Sequence, residues 1–339
     1  MRASTRVAYG CAMRPTFAPP QIPGAQSQFV GTREVTLHVM EAGRGPLVVL
    51  LHGFPEFSWC WRLQLPALAA AGFRAVAVDL RGHGLSGRPR GVAAYGVARL
   101  AADVDELIAA LGVERAAAVV GHDWGGVVGY RFAARYPRRL ERLVIMNSPH
   151  PAALAQGLLR NAQALRSAYM LAAMLPELPE RALAAGGGAL LRSALRACRT
   201  TPVRDEELEP YVEAARHAEW LRGGLNMYRA MGRAIATAAV ARVPIVRLLV
   251  ERVPILGRHF ARAAPRHVGP RPRRIDAPVL VIWGEDDPFL APHLAEPPHA
   301  LVPNVRVERV PGASHDVMLD APELVNALLL DFLAGPRRE

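Results

Sequence analysis

The stretch Ala117-Ala118-Val119-Val120-Gly121-His122-Asp123-Trp124-Gly125-Gly126 decides how this chain is read. A short apolar run stops at Gly121, and apolar residues recur at three- and four-residue spacing over 125–136, so the stretch predicts a strand, a sharp turn and a helix. Glycines two places before and two places after Asp123 suit a strained turn that pushes its central side chain into a cleft. The serine form of such a turn reads Gly-x-Ser-x-Gly. Here the centre is a carboxylate, and that changes the available reaction.

Outward from the turn, short apolar and β-branched runs occur at 47–51, 75–79, 117–121, 143–147, 279–283 and 305–310. Runs without alternation predict strands buried on both faces. Helical spacing fills 100–111, 125–136 and 322–333, so the pattern is α/β, a mostly parallel sheet between helices. The rhythm breaks over 150–275, where alanine- and arginine-rich helical sequence runs without a clear strand. This predicts a core of 29–150 and 275–339, a helical cap inserted at 151–274, and a loose N-terminal arm over 1–28. The cap is expected over the carboxyl edge of the sheet, where open α/β sheets bind ligands.

The chain has 339 residues, 51% of them hydrophobic, which suffices for one large core with an insertion. Three cysteines, Cys11, Cys60 and Cys198, support neither a disulfide framework nor a zinc cluster, and a reducing, cytoplasmic setting follows. The formal charge of +11 would ordinarily suggest nucleic acid or an anionic surface. All 41 basic residues are arginine, however, which fits GC-rich codon usage, and no nucleic-acid-binding pattern accompanies them. Nucleic acid is therefore not expected as a partner. The arginine-rich segment 237–274 reads as an extended cap helix in preference to an amphipathic helix that meets lipid. The arm over 1–28 lacks a signal-peptide apolar run, and no run of spanning length occurs in the chain.

A carboxylate, with a reference pKa of about 4, needs no base to become a nucleophile. It opens esters poorly but displaces a leaving group from saturated carbon, forming an ester with the protein. Epoxides and alkyl halides fit that requirement. Hydrolysis of the ester then calls for a histidine that activates water and an acid that orients it. Both follow in the expected order: Trp283-Gly284-Glu285-Asp286-Asp287-Pro288 after one strand and Val310-Pro311-Gly312-Ala313-Ser314-His315 after the next.

Four motifs together resemble the epoxide hydrolases of the α/β-hydrolase superfamily, from about residue 29 onward. They are His52-Gly53-Phe54-Pro55-Glu56, Asp79-Leu80-Arg81-Gly82-His83-Gly84, the Asp123 turn, and Asn147-Ser148-Pro149-His150-Pro151. The resemblance implies an oxyanion hole from the backbone N–H groups of Phe54 and Trp124, with Phe54, Pro55 and Trp124 touching substrate. It selects Asp287 over Asp286 as the acid. It also implies that two cap phenols, Tyr169 and Tyr228, hold the epoxide oxygen, which suits a group still protonated at neutral pH. No metal or organic cofactor is implied, and the expected partner is a small, apolar epoxide. Two alternatives stay open: a haloalkane or haloacid dehalogenase sharing the aspartate, and a catalytically inactive ligand-binding protein.

Overall fold

The computed structural model describes residues 20–158, 161–216, 218–241 and 273–335. Most of the expected N-terminal arm, and residues 242–272 of the arginine-rich segment, lie outside the described residues.

Eight described strands make one sheet: β1 (Gln26–Gly31), β2 (Thr36–Ala42), β3 (Leu47–Leu51), β4 (Arg74–Val78), β5 (Ala116–His122), β6 (Leu140–Met146), β7 (Val279–Gly284) and β8 (Val305–Val310). Their order is β1-β2-β4-β3-β5-β6-β7-β8. β1 pairs with β2, and β2 with β4, antiparallel; every later pairing is parallel. Helices α1 (Gln64–Ala70), α2 (Val97–Ala110) and α3 (Trp124–Arg135) fall between strands. After β6 come α4 (Pro151–Gly157), α5 (Asn161–Arg166), α6 (Tyr169–Met174), α7 (Leu178–Ala197), α8 (Asp205–Ala215) and α9 (Ala218–Ala241), and after β8 come α10 (Val317–Asp320) and α11 (Pro322–Ala334).

The unbroken apolar runs have a direct cause in the layers. In β3, Val49 and Leu51 join one core with Leu100, Val104, Val128 and Phe132, while Val48 and Leu50 join a second with Leu65, Leu68, Val325 and Leu329. Successive side chains point to opposite faces, and both faces are covered. Leu50 is fully buried, and its truncation to alanine would cost about 2–5 kcal/mol.

Three features differ from the sequence reading. β1 and β2 form an antiparallel pair that the apolar-run criterion misses, because β1 (Gln-Ser-Gln-Phe-Val-Gly) is largely exposed and polar. The expected arm boundary at residue 28 therefore falls inside β1, and Ile22 before it packs into the second core. β8 is not buried on both faces. It is the far edge of the sheet, with Arg306 and Glu308 in mutual contact along an exposed strand, a charged edge that resists further pairing.

The helices from α4 to α9 meet the strand-end loops through aromatic and glycine contacts. Trp220 lies against Phe57 at 6.4 Å and His83 at 6.3 Å between ring centroids. Gly223 approaches Gly82 so closely that an added Cβ would stand 2.3 Å from the Gly82 carbonyl oxygen. Among the described residues no helix is long and apolar enough to cross a membrane.

Candidate active site

Asp123 sits at the turn between β5 and α3 with φ 49° and ψ −117°, in the left-handed half of the map that a non-glycine residue avoids. Such a conformation costs about 1–3 kcal/mol and persists where its surroundings over-determine it. The Asp123 carbonyl accepts hydrogen bonds from Gly126 N at 3.0 Å, Val127 N at 3.1 Å and the Ser148 hydroxyl at 2.7 Å. The glycines make this approach sterically feasible. A Cβ on Gly125 would lie 2.0 Å from the Leu51 carbonyl oxygen, and one on Gly121 would lie 2.3 Å from the Gly125 carbonyl oxygen.

The turn aims the carboxylate at the loops after β3, β7 and β8. Asp123 Oδ1 accepts from the Phe54 N–H at 3.0 Å, and Oδ2 lies 3.7 Å from His315 Nε2. His315 Nδ1 stands 2.7 Å from Asp287 Oδ2. Asp287 in turn accepts from the amides of Phe289 and Leu290 at 2.8 and 2.9 Å and from Asn147 Nδ2 at 2.8 Å. Asp286 is exposed, whereas its neighbour Asp287 is buried against the histidine. The structure thus brings together Asp123, His315, Asp287 and Phe54. The Trp124 amide, expected as the second oxyanion donor, makes no hydrogen bond to the carboxylate in this state.

Charges in the site are coupled. Burial pushes the Asp123 carboxyl up, but the nearby imidazole of His315 and its charge outweigh it, and the group titrates below its usual range. Burial likewise opposes charge on His315, yet Asp287 and Asp123 overcome it and hold the imidazolium well above its ordinary pKa. The two carboxylates thus favour the protonated imidazole, and the imidazole favours the ionised carboxylates.

Aromatic rings surround it. Tyr228 stands edge-on to Trp124 at 4.9 Å and to Phe54 at 5.8 Å, and Tyr169 lies 6.3 Å from Tyr228 and 5.5 Å from Phe289, whose ring faces His315 at 5.4 Å. Burial, then the other phenol and the Asp123 charge, raise Tyr228 well above the phenol range, so its proton is retained. Pro55 is buried beside Phe54 in the chain.

Residues 46–322 match the alpha/beta hydrolase fold family. Over 314 residues the chain is 34% identical to AB hydrolase superfamily protein YfhM of Bacillus subtilis, spanning 91% of this chain and 98% of that one. Over 311 residues it is 30% identical to epoxide hydrolase 4 of Mus musculus, spanning 89% and 77%. The chain belongs to the epoxide hydrolases of the α/β-hydrolase superfamily. The crystal structure of Bacillus megaterium epoxide hydrolase in complex with an inhibitor superposes with a TM-score of 0.73 at 27% identity, over 90% of this chain and 99% of that one.

Sequence reading left several positioning residues of this family member without a role. Asn147 follows β6 at φ 38° and ties Asp287 to the Gly284 backbone, accepting from Gly284 N at 2.8 Å. Glu56 and His122 form a buried pair at 3.0 Å, and His122 Nε2 donates to the His315 carbonyl at 3.0 Å. Asp316, next to His315, is buried too. Burial first, and then the Glu56 charge, push its carboxyl up to about 8, so it is a neutral acid at pH 7. Motifs could point to Asn147 and Glu56; Asp316 had no signal, because its effect comes from residues far apart in sequence.

His122, His315 and Asp316 place donor atoms within 4.8 Å of one another, the separation a metal ion would need. His122 already commits one ring nitrogen to Glu56 and the other to the His315 carbonyl, so this set is a poor fit for a cation.

Proposed function

We propose that the protein hydrolyses an epoxide to a vicinal diol through an alkyl ester on Asp123. The observation that carries this reading is the pair of phenols, Tyr169 and Tyr228, both raised above the phenol range, beside the partly buried Asp123 carboxylate, which His315 holds below its usual range. Ring opening creates an alkoxide, and a protonated phenol is the donor that step requires, whereas a departing halide has no such need.

With Asp123 Oδ1 held by the Phe54 amide, Oδ2 attacks the less hindered epoxide carbon. The new C–O ester bond forms as the ring C–O bond breaks, and the released oxygen takes a proton from a tyrosine. Consumption of the Asp123 charge then removes one of the two carboxylates that hold the proton on His315, and Nε2 passes that proton through solvent to the tyrosinate left by ring opening, which restores the phenol and frees Nε2 to act as base. Water loses a proton to Nε2 and attacks Asp123 Cγ, while the developing charge on Oδ1 meets the Phe54 N–H. Collapse breaks the Cγ–Oδ2 bond, the diol leaves with Oδ2 and the proton from His315, and the new Asp123 carboxyl gives its remaining water proton back to His315, which restores the resting pair. Asp287 and Asn147 orient the imidazole throughout. The ring of Phe54, Trp124, Tyr169, Tyr228 and Phe289 favours an apolar epoxide.

Diol formation from a panel of small epoxides, with halide release from alkyl halides measured on the same preparation and Asp123→Ala as control, tests the reading. Diol without halide, abolished by the substitution, is expected. In heavy-oxygen water a single turnover should yield unlabelled diol, and repeated turnovers should label the Asp123 carboxyl. Halide release without diol, or label entering the diol in the first turnover, would overturn the proposal.

A further inference from the structure

Away from Asp123 the sheet carries another acid–histidine–nucleophile chain. The Ser27 hydroxyl lies 2.8 Å from His38 Nε2, and His38 Nδ1 lies 2.7 Å from Asp79 Oδ2. Ser27 is exposed on β1, while His38 on β2 and Asp79 after β4 are fully buried. The strand order β5-β3-β4-β2-β1 puts β1 four strands from the Asp123 turn, about 19 Å at the usual strand spacing. The two chains share no residue.

The acid and the histidine are held in place on every side. Asp79 Oδ1 accepts from the Ser58 amide at 2.8 Å, and Oδ2 accepts from the Leu85 amide at 2.9 Å. The backbone of His38 is fixed by its N–H to Ser86 Oγ at 2.8 Å and by the Asp79 N–H donating to its carbonyl at 3.0 Å. With Nδ1 turned to the Asp79 carboxylate, the ring presents Nε2 to the Ser27 hydroxyl.

We infer that Ser27, His38 and Asp79 form a second nucleophilic site, at which Ser27 is covalently modified by activated acyl or phosphonyl donors. Ser27 Oγ bonds to the acyl carbon or phosphorus, its proton passes to His38 Nε2, and the leaving group departs with the electron pair of the bond it breaks. Phe29, exposed and 5.3 Å from the His38 ring, offers an apolar flank to the donor. This chemistry is independent of epoxide opening at Asp123.

The test uses the full-length protein and a tagged alkyl fluorophosphonate, which replaces P–F by P–O and releases fluoride. Peptide mass spectrometry locates the adduct, and between Arg14 and Arg33 the sole serine is Ser27. Ser193, exposed on α7 and without a histidine partner among the described residues, is the internal reference. General-base assistance predicts labelling of Ser27 at least about 100-fold faster than of Ser193 on the same folded molecule. Ser27→Ala should abolish that adduct with diol formation unchanged. A His38→Gln variant that keeps the wild-type melting profile should lose the rate advantage. Equal labelling of the two serines, or none on Ser27, would overturn the inference.

Discussion

His315 and His38 each stand 2.7 Å from a buried aspartate, yet they face different side chains at different distances. His315 Nε2 is 3.7 Å from the Asp123 carboxylate, beyond hydrogen-bond range, whereas His38 Nε2 is 2.8 Å from the Ser27 hydroxyl. The chemistry explains the difference. In the mechanism we propose, a carboxylate ionised before substrate arrives makes the gap costless in the first step and leaves room for the histidine to engage water in the second. A hydroxyl must surrender a proton as it attacks, and its base has to touch it. Surroundings complete the contrast: the ring beside His315, Phe289, belongs to the aromatic surround of the Asp123 site, whereas the ring beside His38, Phe29, is exposed on an edge strand.

The comparison can be broken most forcefully at His315. His315→Gln should leave the alkylation step but not ester hydrolysis, with kcat down roughly 10³-fold or more. Intact-mass measurement should then find protein bearing one substrate equivalent. Release of diol at the wild-type rate would remove His315 from the second step.

The next effect is at the phenols. Tyr228→Phe should slow single-turnover alkylation by roughly 10²-fold, with Tyr169→Phe adding to it in the double variant. Neither should alter Ser27 labelling, because those rings touch only the Asp123 site.

A smaller effect concerns Asp316, which lies behind His315. Its folded pKa of about 8 exceeds the ordinary 3.8, so the folded protein binds this proton more tightly than the unfolded chain does. The resulting stabilisation is complete below the unfolded value and is lost as pH rises through about 8. Asp316→Asn keeps a neutral, similarly shaped group. Its Tm should therefore fall less than the wild-type Tm between about pH 5 and about pH 9, by about 2 °C or more in a thermal melt. Parallel curves would show that Asp316 is ionised in the fold. The smallest expected change is in diol formation by Ser27→Ala, which should stay within about twofold, as for a surface substitution remote from the reacting atoms.

The sequence by itself determined the parallel centre of the sheet, because strands covered on both faces must be apolar throughout, and β3, β5 and β7 are. It also determined the Asp123 turn, because only glycine fits where Gly121 and Gly125 meet other backbone. The order of Asp123, acid and His315 was legible for the same local reason: each follows the end of an apolar run. The rest depends on tertiary structure. The family resemblance selects Asp287 of two adjacent aspartates, but what turns it inward is the binding of its carboxylate by Asn147 and two amides, and Asn147 is 140 positions away in the chain. β1 and β2 are defined by pairing with each other and with β4, not by their own polarity. The Asp316 carboxyl is pushed up, and Ser27 meets a histidine, only because folding buries the one near Glu56 and sets His38 beside the other. Periodicity and turn chemistry are properties of neighbours in sequence. Proton affinity and hydrogen-bond partners depend on neighbours in space, and only the folded chain supplies those.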